Sequence, residues 1–221
     1  MDLIQAIKER HSVRSYIDRP IEEDLKKELE DYIEGCNKES GLHIQLITNE
    51  RKAFDSFMAH YGSFSGISSY IALIGKNDAE LEEKCGYYGE KIVLFAQMQG
   101  LNTCWVALTY KKISGVFKIN DGEKLLMVIS LGYGKNNGVQ HRSRDISSVS
   151  NITSDSPEWF KRGVESALLA PTAVNQQKFY LELIDDKVKA TPGRGFYTKT
   201  DLGIVKYHFE IASGKDSGIW L

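Results

Sequence analysis

The apolar positions of this chain alternate between helical and strand periods. LIQAIKER places Leu3, Ile4 and Ile7 on one helical face. Pro20 opens PIEEDLKKELEDYIEGC, which is acidic early and carries Ile21, Leu25, Leu29 and Ile33 at helical spacing. LHIQLIT alternates as a half-buried strand and YIALIG reads as a short apolar one, with a Gly- and Ser-rich loop, HYGSFSGISS, between them. DAELEEKCGYYGEKIVLFAQMQGL is the longest helical stretch, with Asp78 expected as its N-cap and Gly100 as its stop. The following GLNTCWVAL reads as a run with Trp105 in the core, whose backbone N–H groups are open to a ligand if no sheet uses them. EKLLMVISLGYG predicts a buried strand ending in a glycine turn. Residues 133–156 lack apolar periodicity and predict a surface excursion and linker. A helix is expected from Pro157 (PEWFKRGVESALLA), then a strand (FYLELI) and a final helix (DLGIVKYHFEIASG).

The two ends of this series resemble each other. LKKELEDYIEGCNKESGLHIQLITNERKA and FKRGVESALLAPTAVNQQKFYLELIDDKVKA share an amphipathic helix, a polar turn, an alternating strand and a basic exit. GEKIVLFAQMQGLNTCW and GIVKYHFEIASGKDSGIW share a leading Gly, a second Gly and a terminal Trp at nearly equal spacing. Either the order helix–strand–helix has simply recurred, or residues 151–221 are a shortened second copy of elements in residues 1–150.

Composition narrows the function classes. At 42% hydrophobic and 26% charged, the 221-residue chain has the make-up of a soluble globular protein. A net charge of −2 supplies no basic field for nucleic acid. Cys36, Cys85 and Cys104 are odd in number and scattered, which argues against a disulfide framework or zinc cluster and for a reducing compartment. No apolar run approaches the ~20 residues of a membrane span. The charged start is unlike a secretory signal, so the expected location is the cytoplasm.

Candidate chemistry gathers in a few places. ERHSVRSY crowds Arg10, His11, Ser12 and Arg14 where the chain leaves its first helix. Guanidinium forks and a serine hydroxyl suit phosphate oxygens, although basic residues there also complement a helix C-terminus. A second basic pair, Arg142 and Arg144 in HRSR, is either solvated or part of the same grip. In APTAVNQQ, Pro171 enforces an extended entry, Thr172 offers a hydroxyl, and Asn175, Gln176 and Gln177 offer amides that suit either a heterocycle edge or a polar turn. There is no GxxxxGK[ST] loop and no GxGxxG after a strand. The histidines at 11, 43, 60, 141 and 208 show no metal spacing, and no nucleophile–base arrangement stands out. No catalytic side chain and no metal ligand is therefore assigned, and the chemistry is expected to come from a bound cofactor.

Together these segments resemble the FMN-dependent nitroreductase family. RHSVRSY is similar to that family's N-terminal Arg-(Arg/His)-Ser-(Val/Thr)-(Arg/Lys) motif, and APTAVNQQKFYLELI to its Ala-Pro-Ser-x-x-Asn-x-Gln segment. GEKIVLFAQMQGLNTCWVAL resembles its core helix and Trp-containing turn, and VISLGYG with RSR its late strand and basic pair. The usual family places the Pro-Ser-x-x-Asn segment about thirty residues after the arginine motif, contributed across a dimer interface. Here it stands at 170–177, as in the Thermotoga-type subfamily.

The resemblance implies an α+β, three-layer fold, its central mixed or antiparallel sheet flanked by helices. It also implies an internal duplication, in which residues 151–221 replace the partner subunit in a single-chain pseudo-dimer with one flavin. FMN would be held by Arg10, His11, Ser12, Arg14, Arg142 and Arg144 at the phosphate end. Trp105, Val106, Ala107, Pro171, Thr172, Ala173, Asn175 and Gln177 would lie at the ring. HYGSFSG (60–66) would lie on the ring's open side. The implied reaction passes hydride from NAD(P)H through flavin N5 to a small acceptor such as a nitroaromatic or quinone, with no nucleic-acid or membrane partner. Leu108 stands where Gly is common, and KFY follows Gln177 where Pro-Trp is usual. These departures leave as the alternative a flavin-binding or redox-sensing protein without turnover, and beyond it a scaffold without flavin.

Overall fold

Asp2 caps the first helix, α1 (Leu3–Glu9), by accepting the Gln5 N–H at 2.8 Å, and the chain turns extended at Arg10 (φ −70°, ψ 126°). That early exit sets the path of the next residues. Instead of continuing round a helix, Ser12 and Val13 run beside another strand, where the Val13 N–H donates to the Thr103 carbonyl at 3.0 Å. A computed structural model describes residues 1–55 and 61–221 of the chain.

The longer elements are α2 (Glu23–Ser40), β1 (Gln45–Ile47), β2 (Ser69–Lys76), α3 (Leu81–Met98), β3 (Asn102–Val106) and β4 (Glu123–Gly132). They continue with α4 (Glu158–Ala167), β5 (Phe179–Ile184), β6 (Lys187–Pro192) and α5 (Thr198–Ser213). One antiparallel sheet has the order β1-β2-β4-β3, and β5-β6 forms a separate antiparallel hairpin. The fold is α+β. Among the described residues no helix is long and apolar enough to cross a membrane.

Strand β2 is buried on both faces, and its alternation sorts two cores. Ile71 and Leu73 face a cluster with Leu29 and Ile33 of α2 and Ile92 and Ala96 of α3. Tyr70, Ala72 and Ile74 face a second cluster with Phe54, Phe64 and Val128. A third core, built from Val164, Leu181, Val205 and Phe209, lies within the C-terminal part, and Trp105 packs against its edge.

Several boundaries differ from the sequence expectations for identifiable reasons. Helix α2 starts at Glu23, after Pro20, and runs through Gly35 to Ser40, since the amphipathic face continues to Cys36 and Gly41 supplies the left-handed cap. The N-cap of α3 is Glu80 and not Asp78, although Asp78 Oδ1, two residues earlier, accepts the Glu80 and Leu81 N–H groups at 3.0 and 3.1 Å. Residues 102–106 form β3, an outer strand paired to β4, so much of that backbone is committed to the sheet. Strand β6 lies in DDKVKATP, which by sequence is only a basic exit; its hairpin with β5 is what hides Val188.

Helices α3 and α5 cross at two glycines. A Cβ on Gly86 would stand 2.0 Å from the Thr200 carbonyl oxygen, and one on Gly203 would stand 2.1 Å from that of Glu83. The contact is reciprocal: each glycine faces the carbonyl of the residue three positions before the other. Only side-chain-free positions permit backbones this close, and the approach lays the N-terminal half of α5 against α3.

Candidate functional site

A cavity of about 350 Å³ opens where α1 ends, β3 ends, the 171–175 loop turns and α5 begins. Its walls include Arg10, His11, Ser12, Arg14, Trp105, Val106, Ala107, Pro171, Thr172, Ala173 and Asn175. Eleven of the fourteen positions singled out from sequence thus converge on one space. Residues from the beginning and end of the chain meet there, within one molecule.

Arg10 is the most telling residue. Its side chain is only 5% exposed, and its Nε and Nη1 have no hydrogen-bond partner. A buried, unsatisfied guanidinium is costly unless an acceptor completes it. Thr200 Oγ1, in the opposite wall, is likewise buried without a partner. Arg14 adds an exposed cation 6.0 Å from the Phe64 ring centre, and Ser12 a hydroxyl. Burial, then the nearby Arg10 and His141 charges, hold the His11 imidazole below its ordinary range. This end of the cavity thus gathers two guanidinium groups and a serine hydroxyl that can donate to an anion.

The loop opposite is unusual in its backbone. Val174, Asn175 and Gln177 all have positive φ, at 47°, 53° and 45°. For a β-branched residue such as Val174 this is a strained conformation, and it leaves the side chain 92% exposed at the cavity mouth. Two bonds to Asp201 in the first turn of α5 hold the loop. Asp201 Oδ1 accepts the Ala173 N–H at 2.9 Å, and Oδ2 accepts Gln176 Nε2–H at 2.7 Å. Burial outweighs these bonds and pushes the Asp201 carboxyl up to about 6.

Three expected positions lie elsewhere. Gln177 is 1% exposed and spends its amide internally: its oxygen accepts the Arg144 N–H at 2.8 Å, and its Nε2 donates to the Arg142 carbonyl and to Asn175 Oδ1, each at 2.8 Å. Those bonds clamp residues 142–144 behind the loop. Arg142 and Arg144 consequently line a neighbouring hollow of about 450 Å³ with Ser143, Asp145 and Ser148. Asn175 borders both spaces, and its Nδ2 donates to the Arg142 carbonyl at 3.0 Å. In HYGSFSG, His60 lies outside the described residues, and residues 61–66 do not line the cavity; Ser65 bridges instead to Ser15. Leu108 is 70% exposed and also lies outside the cavity wall.

Other lining residues carry no sequence signal of a site role: Cys104, Met127, Val139, His141, Tyr197, Thr200, Asp201 and Ile204. Those of α5 look like ordinary residues of its first two turns, and the glycine crossing holds that part of the helix in place.

The chain matches, over residues 2–213, the protein family described as "Putative TM nitroreductase". Among solved structures it is similar to a "putative nitroreductase" from Thermotoga maritima, at 25% identity and TM-score 0.67 over 96% of this chain and 83% of that one. It shares its fold with a "putative nitroreductase" from Desulfovibrio desulfuricans in complex with FMN (15% identity, TM-score 0.54, 71% and 98% covered). A "Putative NADH Oxidase" from Clostridium acetobutylicum has the same fold (20% identity, TM-score 0.51, 71% and 100% covered). No curated protein matches.

Proposed function

The chain belongs to the family described as "Putative TM nitroreductase", and from that membership we propose that it is an FMN-dependent oxidoreductase that uses NAD(P)H. The observation that carries this reading is the cavity with Arg10 in its wall, two of whose guanidinium nitrogens are buried without a hydrogen-bond partner. A flavin mononucleotide has what these residues lack: a phosphate for Arg10, Ser12 and Arg14, and a flat heterocycle to fill the rest. The Desulfovibrio neighbour's complex with FMN supports the choice.

Arg10, Ser12 and Arg14 hold the phosphate through charge-assisted hydrogen bonds. The Trp105–Ala107 run and the loop residues Pro171, Thr172, Ala173 and Asn175 hold the ring end. FMN, when bound, supplies hydride acceptance from NAD(P)H and electron delivery to a small acceptor such as a nitroaromatic or quinone. The chain's own part is to bind, orient and shield, and the wall carries His11, His141 and Asp201 as titratable groups without requiring any of them as an acid or base. Residues 151–221 contribute the loop and the α5 wall, which is how one polypeptide completes the site. The alternative of a flavin binder without turnover needs Leu108 to close the pocket, and Leu108 stands outside its wall.

The test is direct. Purified protein is expected to be yellow or to take up FMN, to bleach with NADH or NADPH, and to recover on adding a quinone or nitroaromatic at rates well above free FMN. Failure to bind FMN sinks the proposal; binding without bleaching selects the non-turnover alternative.

A further inference from the structure

Two wall residues of the cavity, Arg10 and Trp105, approach one buried carboxylate, and that carboxylate faces a histidine from the C-terminal part. Glu90 of α3 and His208 of α5 are both fully buried. Glu90 Oε2 accepts Trp105 Nε1–H at 3.0 Å, while Oε1 lies 2.9 Å from His208 Nε2 and 3.9 Å from Arg10 Nε. His208 Nδ1 lies 3.2 Å from the Ser166 carbonyl oxygen. A carbonyl only accepts, so Nδ1 carries a proton. A second proton must then lie between Nε2 and Oε1, because a bare ring nitrogen and a bare carboxylate oxygen repel at 2.9 Å. Whichever of the two holds that proton, Arg10, Glu90 and His208 together carry one net positive charge. With a bare Glu90 carboxylate and a neutral partner, the sum is zero.

We infer that the proton shared by Glu90 and His208 keeps the charge of Arg10 available to an anion in the cavity. An ionised Glu90 without its partner would draw the guanidinium onto itself, and an incoming phosphate would meet a cation already neutralised. The observed geometry is the reverse: Arg10 Nε and Nη1 have no hydrogen-bond partner although a buried carboxylate stands beside them. His208 is thus a positioning residue that acts through Glu90, and it comes from the helix that the Gly86–Gly203 crossing brings alongside α3. The inference rests on the proposed function only in taking the anion to be the FMN phosphate.

A double-mutant cycle tests it. The full chain, freed of any flavin, is prepared as wild type, H208Q, E90Q and H208Q/E90Q, and each is titrated with FMN, riboflavin and inorganic phosphate. H208Q is expected to weaken FMN and phosphate about tenfold or more, with riboflavin little changed. H208Q/E90Q, which removes the competing carboxylate, is expected to regain most of that affinity. A purely structural role predicts the opposite, since the double variant sacrifices more buried hydrogen bonds than the single one. H208Q binding FMN and phosphate like wild type, or a double variant no better than H208Q, overturns the inference. If H208Q does not fold, nitrogen NMR of the wild-type imidazole decides: a proton on Nδ1 and a second shared with Glu90 supports it, and a bare Nε2 beside an ionised Glu90 overturns it. Wild type that takes phosphate but not FMN counts against the proposed function alone, and the phosphate series then decides this inference.

Discussion

The Ala173 N–H donates to Asp201 Oδ1 at 2.9 Å, joining the strained 171–177 loop to the first turn of α5. The acceptor is a carboxyl that burial has lifted from 3.8 to about 6. A raised carboxylate makes the folded state bind more protons than the unfolded one between those two values. Stability from this group is therefore greatest below about pH 4, falls as pH rises through that window and levels off above about 6, by on the order of 2–3 kcal/mol. Denaturation midpoints from pH 4 to 7 are expected to show this decline in wild type, and D201N is expected to flatten it. An unchanged slope in D201N would remove Asp201 as its source.

Arg14→Ala tests the anion grip at a residue whose loss should not disturb the core, because the guanidinium is exposed. FMN affinity is expected to fall about tenfold, through loss of a charge-assisted contact, with the denaturation midpoint within about 0.5 kcal/mol of wild type. Full flavin retention in this variant would contradict the role given to Arg14.

Gly203→Ala places a methyl group 2.1 Å from the Glu83 carbonyl oxygen and 2.7 Å from the Tyr87 nitrogen. Both are backbone atoms of α3, so the helices must separate. Urea titration is expected to show a loss of about 2–4 kcal/mol. Flavin uptake should fall with it, since α5 forms one wall of the cavity.

Gln177→Ala leaves the Arg144 N–H without its acceptor and the Arg142 carbonyl with Asn175 Nδ2 as its remaining side-chain donor. A cost of about 1–3 kcal/mol is expected from chemical denaturation. The effect on flavin should be indirect, through the freed 142–144 segment; a selective change in flavin spectrum at unaltered stability would instead put Gln177 in contact with the ring.

Leu108→Gly separates an open pocket from a closed one. With Leu108 outside the cavity wall, the KM for a bulky quinone is expected to stay within about twofold of wild type, as for a surface substitution. A large fall in KM would show that Leu108 obstructs the acceptor.

Much of this protein is set by local pattern alone. Helical spacing in LKKELEDYI and alternation in FYLELI depend only on which face of an element is apolar, and both elements form where that pattern predicts them. Arg10, Ser12 and Arg14 and the Pro171–Asn175 loop are legible in sequence as candidate binding chemistry because guanidinium, hydroxyl and amide groups declare their hydrogen-bonding capacity wherever they occur, and they line one cavity. What a one-dimensional reading does not contain is distance between remote residues. Gln177 and Asn175 look alike in APTAVNQQ, yet a left-handed turn buries one as a clamp and sets the other at the cavity edge. Thr200, Asp201 and His208 carry no motif at all, and their place beside the Arg10 cavity comes from two glycines that let α3 and α5 touch backbone to backbone. Pattern determined most of the elements and the hydrogen-bonding groups on offer; close packing of remote helices decided which residues share the cavity.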